Sequence, residues 1–192
     1  MKVPVGKVFG LIIGTHVAAS AGSILYPATY GSNSFVTGKH KDSNSETLLK
    51  EKEVPTRTKI YARNVVQMYR GRGEPSSLLL SFTENCHYEN CMFSLTGKAR
   101  LGSLCRLFKS LGPQTLHQRI NYCADGRVNV FITQQYTLPL VGVSVIIPSL
   151  IELEVNDAGK ICKTTDLMWF EEPVAIGSIS RRINGTLLSV LY

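Results

Sequence analysis

One carboxylate near the carboxy terminus is placed where an acid–base group could work. Asp166 lies inside the strand-like stretch KICKTTDLMWF, three residues before the only tryptophan, Trp169. A carboxyl group in an apolar pocket has a raised pKa and can act as a general acid or base. Strand alternation places Asp166 opposite Ile161 and Trp169, on the outer face, unless a bulge near Leu167 reverses the order. The sequence leaves open whether Asp166 is a pocket carboxylate or a solvated sheet residue.

Two further side chains could complete an acid–base site with Asp166. His117 lies in the alternating stretch TLHQRINYC and could act as a base. Tyr61 lies in the helical stretch RTKIYARNVVQMYR and could donate a hydrogen bond to a developing oxyanion. Other polar groups open to such a site are His87, Tyr88 and Glu89. Each also has a structural interpretation, because histidine is only intermediate in burial and core tyrosines usually have a satisfied hydroxyl.

No sequence motif predicts a metal ion or an organic cofactor. The chain has no CxxC pair, no HExxH, no GxSxG and no glycine-rich phosphate loop. Its five cysteines are odd in number and irregular in spacing, which makes a poor disulfide framework. We therefore expect reduced thiols in a reducing compartment, with neither metal nor cofactor.

The chain is basic, with 21 Lys and Arg residues against 14 Asp and Glu residues and a net charge of +7. Such a charge could suit nucleic acid, an anionic membrane or an acidic partner. The basic residues are scattered without a run of five, and no zinc-finger or RNA-recognition signature is present. We therefore expect no nucleic-acid partner.

The first 27 residues are apolar. Residues 8–26 contain no Asp, Glu, Lys or Arg, and this stretch of 19 residues is long enough to cross a bilayer core of about 30 Å as a helix. It could be an uncleaved anchor, a signal peptide cleaved after Ala19-Ser20-Ala21, or a mitochondrial targeting segment or loose apolar tail. The anchor is favoured, because the odd cysteine count argues against secretion. We predict a single-pass protein of a mitochondrial or endoplasmic reticulum membrane, with its domain facing a reducing compartment.

The remaining pattern predicts helices first and strands later. Residues 28–55 are polar and aperiodic, as in a linker. Helical periodicity follows in RTKIYARNVVQMYR, in a short segment that begins at Pro75, and in KARLGSLCRLFKSLG, which ends at Gly112-Pro113. Four strand-like stretches then run from Thr115 to Phe170, with Asp125-Gly126 as a turn. This order predicts an α+β domain over residues 56–173, a curved antiparallel sheet with helices on one face, and a tail over residues 174–192.

The arrangement resembles the nuclear transport factor 2-like superfamily, in its SnoaL-like (polyketide cyclase) branch. The resemblance covers residues 56–173 and rests on the long first helix, the Pro-led helix before FTENCHYEN, the Gly97-led helix, and the closing hairpin IELEVNDAGKICKTTDLMWFEEP. In that hairpin, Asp157, Gly159, Asp166 and Trp169 match the family's Asp-x-Gly-Lys-Ile, later Asp and aromatic residue. The resemblance implies a cone-shaped domain with a pocket between sheet and helices.

The resemblance implies more than one kind of function. Superfamily members include isomerases, dehydratases, cyclases, epoxide hydrolases and many non-catalytic binding or dimerisation modules, so the fold does not decide. The Asp/Tyr pair of the ketosteroid isomerases and the His-Asp pair of the dehydratases cannot be matched position by position. We therefore expect a membrane-attached domain that binds a small apolar ligand or a protein partner without catalysis. The alternative is an isomerase, dehydratase or cyclase of a hydrophobic carbonyl compound, with Asp166 or His117 as base and Tyr61 as donor. A homodimer formed through the open sheet is a third possibility.

Overall fold

The computed structural model describes residues 48–123, 125–137, 144–169 and 178–191. The α-helices are α1 Thr56–Tyr69, α2 Pro75–Leu78, α3 Lys98–Leu111 and α4 Ser178–Leu191. The strands are β1 Phe82–Glu89, β2 Ser94–Thr96, β3 Gln114–Tyr122, β4 Val128–Thr137, β5 Ser144–Val155 and β6 Ile161–Met168. Short 3-10 turns occupy Glu51–Glu53 and Leu79–Ser81. The α+β class predicted from the sequence is confirmed.

The six strands form one sheet in the order β2-β1-β6-β5-β4-β3. Every neighbouring pair is antiparallel except β1 and β6, which run parallel. The sheet is therefore mixed, because β1 joins it beside the last strand instead of beside a sequential neighbour. The β1–β2 hairpin lies between α2 and α3, ahead of the strands that run from residue 114 onward.

Helices α1 and α3 pack their apolar faces on the inner side of this sheet. The buried residues of α1 are Ala62, Val65, Val66, Met68 and Tyr69, which is the stripe that helical periodicity predicts. Burying each large apolar side chain contributes about 1.5–3 kcal/mol. The ring of Tyr69 lies 4.9 Å from that of Phe108 on α3, so the two helices meet where α1 ends.

A bulge at the start of β6 decides which of its side chains face the interior. The register between β5 and β6 shifts at Glu154 and Val155, and Cys162 is the extra residue. As a result both Ile161 and Asp166 are buried, although simple alternation puts them on opposite faces. The expectation that Asp166 faces outward is therefore wrong. The bulge that reverses it lies at the beginning of the strand and not near its end.

A second bulge changes the facing of residues in β3. The register with β4 shifts between Thr115 and His117, so Leu116 is the extra residue. Its side chain is 47% exposed, whereas alternation placed it with Ile120 and Tyr122 on the buried face. The bulge interrupts simple alternation in β3 as it does in β6.

Helix α4 covers the β2 end of the sheet. Arg181, only 4% exposed, donates to the Glu89 carboxylate at 2.8 Å, and the Asn184 amide donates to the Met92 carbonyl at 3.0 Å. A Cβ atom on Gly185 would lie 2.4 Å from the carbonyl oxygen of Ser94. The helical part of the carboxy-terminal tail therefore packs on the domain.

The end of the predicted linker also packs on the domain. Leu48 forms an antiparallel bridge with Cys123, and the Leu49 amide donates to the Tyr122 carbonyl at 2.9 Å. Val54 is buried before α1 begins. No helix in the described ranges combines the length and apolar character needed to span a bilayer. The predicted anchor, residues 8–26, lies outside those ranges.

We predict that Gly185→Ala weakens the docking of α4. The added methyl group would collide with the Ser94 carbonyl and with the Leu95 side chain, 2.6 Å away. Overpacking of this kind costs about 1–3 kcal/mol, to be measured as a lower free energy of unfolding in urea. Thr186→Ala, at an exposed position of the same helix, is the matched control and should stay near wild type. Equal stability of the two variants would contradict the docked arrangement.

Candidate functional site

The Asp166 carboxylate is the centre of a buried cluster of polar side chains. Asp166 is 3% exposed, and its Oδ2 atom accepts hydrogen bonds from two tyrosine hydroxyls. Tyr69 donates at 2.9 Å and Tyr88 at 3.1 Å, and the two hydroxyl oxygens lie 3.2 Å apart. Both tyrosines are at most 2% exposed. The cluster joins α1, β1 and β6 at the seam between helices and sheet.

Asn90, at the end of β1, extends this cluster. Its amide nitrogen donates to the Tyr88 hydroxyl at 2.9 Å, so the donors run from Asn90 through Tyr88 to Asp166. Its side-chain oxygen accepts from the backbone amides of Met92 and Phe93, at 2.9 and 2.6 Å. The β1–β2 turn therefore holds the Asn90 side chain in one orientation, with its donor toward the cluster.

The carboxy-terminal end of α1 is held where Tyr69 reaches the cluster. Buried Gln134 of β4 donates to the Tyr69 carbonyl at 3.1 Å and accepts from the Thr115 hydroxyl at 3.0 Å. Gly71 then lets the chain pass α3, since a Cβ there would lie 2.7 Å from the Phe108 carbonyl oxygen. These contacts leave little freedom for the Tyr69 ring.

Burial dominates the electrostatics of the cluster. It raises the pKa of the Asp166 carboxyl, and nearby donors, Tyr69 first, lower that pKa only in part. Burial, followed by the neighbouring Asp166 charge, raises the pKa of Tyr69 and Tyr88 well above their usual range. Half-buried Tyr136 has its pKa raised by the same two causes. The three tyrosines therefore remain neutral donors at neutral pH.

The second carboxylate oxygen of Asp166 is the least satisfied atom of the cluster. Oδ1 is buried and makes no hydrogen bond within the described structure. Hydrogen bonding of less than ideal geometry from the Ser149 and Asn90 side chains lowers the carboxyl pKa. Neither makes a hydrogen bond of standard geometry with Oδ1. An unsatisfied buried acceptor costs about 1–3 kcal/mol, so Oδ1 is the atom on which a proton or an added donor would be most favourable.

The structure does not bring the three candidate residues Asp166, His117 and Tyr61 together. His117 is exposed on β3, three strands from β6, a separation of about 14 Å at normal strand spacing. Tyr61 is half-buried on α1, and its Cα precedes that of Tyr69 by about 12 Å along the helix axis. Only Asp166 lies in the cluster, and the catalytic role of all three stays a prediction.

The remaining polar groups named from the sequence divide between the cluster and the surface. Tyr88 is in the cluster. His87 lies on the other face of β1, where its Nδ1 atom forms a hydrogen bond with the Thr96 hydroxyl at 3.1 Å. Glu89 pairs with Arg181. Sequence reasoning overlooked the role of Tyr69, although it stands on the predicted buried stripe of α1, and overlooked Asn90, for which the sequence carries no clear signal.

Two shallow grooves on the described surface have no residue of the cluster in their lining. One, of about 550 Å³, lies between Glu74, Pro75 and the end of α3. The other, of about 340 Å³, lies beside β3. No group of three or more His, Cys, Asp or Glu side chains within the described ranges could hold a metal ion. The cluster is a buried set of side chains that hydrogen-bond to one another.

The five cysteines carry free thiols, of which Cys86, Cys105 and Cys123 are buried. Burial raises the pKa of the Cys86 thiol to about 11 and that of Cys105 to about 12. Such thiols are poor nucleophiles at neutral pH, because the thiolate is the reactive form.

No protein-family model matches the chain, and none of the curated proteins matches its sequence. Solved structures do match. A nuclear transport factor 2-like protein from Burkholderia xenovorans, 12% identical, aligns over 60% of this chain and 91% of its own with a TM-score of 0.50. One from Anabaena variabilis is 16% identical over 58% and 89%, with a TM-score of 0.48. An epoxide hydrolase/cyclase-like enzyme with a role in pyran ring formation in salinomycin is 19% identical. It aligns over 58% of this chain and 89% of its own, with a TM-score of 0.47.

The domain therefore has the nuclear transport factor 2-like fold. The alignment with the Burkholderia protein carries this conclusion, together with the mixed curved sheet and the helices on its inner face. The resemblance of the closing hairpin predicted this fold correctly. Identities this low concern the fold and leave the function to the residues of the site.

We predict that Asp166→Asn becomes more stable than wild type as the pH rises. The folded pKa of Asp166 lies above the unfolded value of 3.8, so the folded protein holds a proton that the unfolded chain has released. This proton increases the free energy of unfolding by its whole amount below the unfolded pKa. The increase is lost as the pH rises through the folded pKa. Urea unfolding between about pH 4 and about pH 7.5 measures the difference between variant and wild type.

Asp125→Asn is the control of opposite sign for this experiment. Hydrogen bonds from Arg127 lower the pKa of Asp125, so ionisation stabilises the fold at that position. Relative to wild type, this variant should be less stable by a nearly constant amount over the same interval, because the contribution of ionised Asp125 is fully present above the unfolded pKa of 3.8 and is lost only at lower pH. Parallel pH curves for Asp166→Asn and wild type would show that Asp166 titrates as an ordinary carboxyl and would contradict the assignment.

Proposed function

We propose that this chain is a membrane-attached, non-catalytic binding protein whose nuclear transport factor 2-like domain recognises a protein partner. The supporting observation is the burial of Asp166 between Tyr69 and Tyr88, whose hydroxyls both donate to its carboxylate. A substrate would have to displace these side chains before reaching the carboxylate. Recognition of a partner needs only the surface, and a small apolar ligand would need the interior to open.

The membrane part of the proposal rests on the amino-terminal sequence. Residues 8–26 have the length and composition of a single span. The free thiols of the domain suit a reducing compartment on one side of a mitochondrial or endoplasmic reticulum membrane. A homodimer through the outer sheet face is a further assembly compatible with this attachment.

A second candidate function is proton transfer at Asp166, as an isomerase, dehydratase or cyclase of a hydrophobic carbonyl compound requires. The observation in its favour is the unsatisfied Oδ1 of a carboxyl whose pKa burial raises. Tyr69 and Tyr88 would then stabilise the charge on Asp166 as the proton leaves. His117 and Tyr61, the partners expected from the sequence, lie outside the cluster.

We predict that the full chain does not catalyse exchange of α-protons. Cyclohexanone and a β-hydroxyketone in deuterium oxide, followed by proton NMR, serve as probes, because each of these three reactions begins by removing such a proton. Exchange should stay at the buffer rate for wild type and for Asp166→Asn alike. Wild-type exchange that falls about 100-fold or more in Asp166→Asn, with the fold intact, would establish the catalytic alternative.

We predict that the membrane attachment depends on residues 8–26. The double variant Ile13→Lys with Val17→Lys places two charges in the span, at about 3 kcal/mol each, and should release the protein from membranes during alkaline extraction. The control Ser32→Lys with Ser34→Lys adds the same charge outside the span and should stay with the membrane. Release of wild type under the same conditions would refute the anchor.

A further inference from the structure

The free side of β3 presents backbone groups that no described residue pairs with. The Cys123 amide donates to the Arg127 carbonyl, so the backbone of residue 123, and of every second residue before it back to His117, faces β4. The backbone of Tyr122, Ile120 and Gln118 therefore points away from the sheet. The Tyr122 carbonyl already accepts the Leu49 amide, whereas Gln118 and Ile120 present their N–H and C=O groups at the edge.

This edge is shaped to accept an extended chain. Leu48 and Leu49 already bind beside Tyr122 and Cys123 as a short antiparallel segment. A groove of about 340 Å³ continues along residues 118–122 of β3, with Arg63 on the opposite wall. A peptide in this groove would meet the open backbone groups of Gln118 and Ile120, as in recognition by β-strand addition.

The charge on β3 selects among possible occupants. The strand QTLHQRINY has no acidic residue, and Arg119 and His117 are exposed on its outer face. The Arg119 guanidinium lies 4.6 Å from the centre of the Phe131 ring, which holds it over the sheet beside the edge. An incoming strand with carboxylates opposite these positions gains favourable cross-strand pairs.

The chain's own neighbouring segment and a second copy of the chain fit less well. After Leu49 the chain enters the 3-10 turn Glu51–Glu53 and then α1, and the described part of this segment pairs with β3 only at Tyr122 and Cys123. A second copy paired antiparallel through β3 would bring Arg119 near its own symmetry mate, and like charges across strands are destabilising. An acidic segment of another protein can reach Gln118 and brings no like charge to Arg119.

We propose that the β3 edge binds an extended acidic segment of a protein partner by strand addition along Gln118–Ile120. This inference rests on the proposed binding function and names its surface and the chemistry of the partner. Main-chain hydrogen bonds to residues 118 and 120 supply the affinity, and Arg119 supplies the preference for carboxylates.

The test uses the full chain and a fluorescent heptapeptide of alternating Glu and Val, followed by fluorescence polarisation. Gln118→Pro removes an outward N–H without touching a bond to β4, so the fold is retained. It should weaken binding at least about fivefold, because one backbone hydrogen bond is lost and the proline ring obstructs the edge. Gln118→Val keeps the N–H and is the matched control. Arg119→Glu should reverse the preference toward a Lys/Val heptapeptide.

A peptide N-methylated at alternate residues tests the same contact without altering the protein. It should bind at least about fivefold more weakly than the unmodified peptide. Equal binding of both peptides to wild type, or no binding of the acidic peptide up to about 1 mM, would overturn the strand-addition proposal. So would self-association of wild type that Gln118→Pro abolishes, since a second copy would then occupy the edge. None of these results concerns proton exchange at Asp166, so the proposed non-catalytic function fails or stands separately.

Discussion

The burial of one carboxylate between α1 and the sheet is the constraint on which the rest of the domain depends. Removing Asp166 from water is unfavourable unless hydrogen-bond donors surround it. The donors come from separate elements, Tyr69 at the end of α1 and Tyr88 on β1, so the carboxylate fixes three elements relative to one another. The parallel pairing of β1 with β6 follows from the same requirement, because it places Tyr88 and Asn90 beside Asp166.

The elements with strong local periodicity could be predicted from the sequence. The apolar stripe of α1, the amphipathic α3 that ends at Gly112, and the hairpin that closes through Gly159 each depend on residues close together in the chain. The bulges at Leu116 and Cys162 could not be predicted, because a single extra residue leaves no compositional mark. Each nevertheless reverses the facing of the strand, and at Cys162 this decides whether Asp166 is inside or outside.

The same distinction explains the outcome for the candidate site. Asp166 stood out as a carboxylate within an apolar strand, and this signal is local. Its partners depend on which end of α1 lies over which strand, and this is a tertiary property. Tyr61 and Tyr69 are both plausible donors on the helical pattern, but only Tyr69 lies at the end that Gln134 holds against β4. Asn90 contributes through a turn whose existence required the β1–β2 hairpin to be recognised.

The two edges of the sheet differ in what lies beside them, and this difference connects the fold to recognition. At the β2 edge, α4 packs so closely that a Cβ atom at residue 185 would collide with the Ser94 carbonyl oxygen. At the β3 edge, a bulge and an exposed Arg119 are the usual devices that prevent sheets from pairing with one another. A positive charge, however, opposes only partners that are also positive. The feature that protects β3 from a second copy of this basic chain therefore leaves it open to an acidic strand.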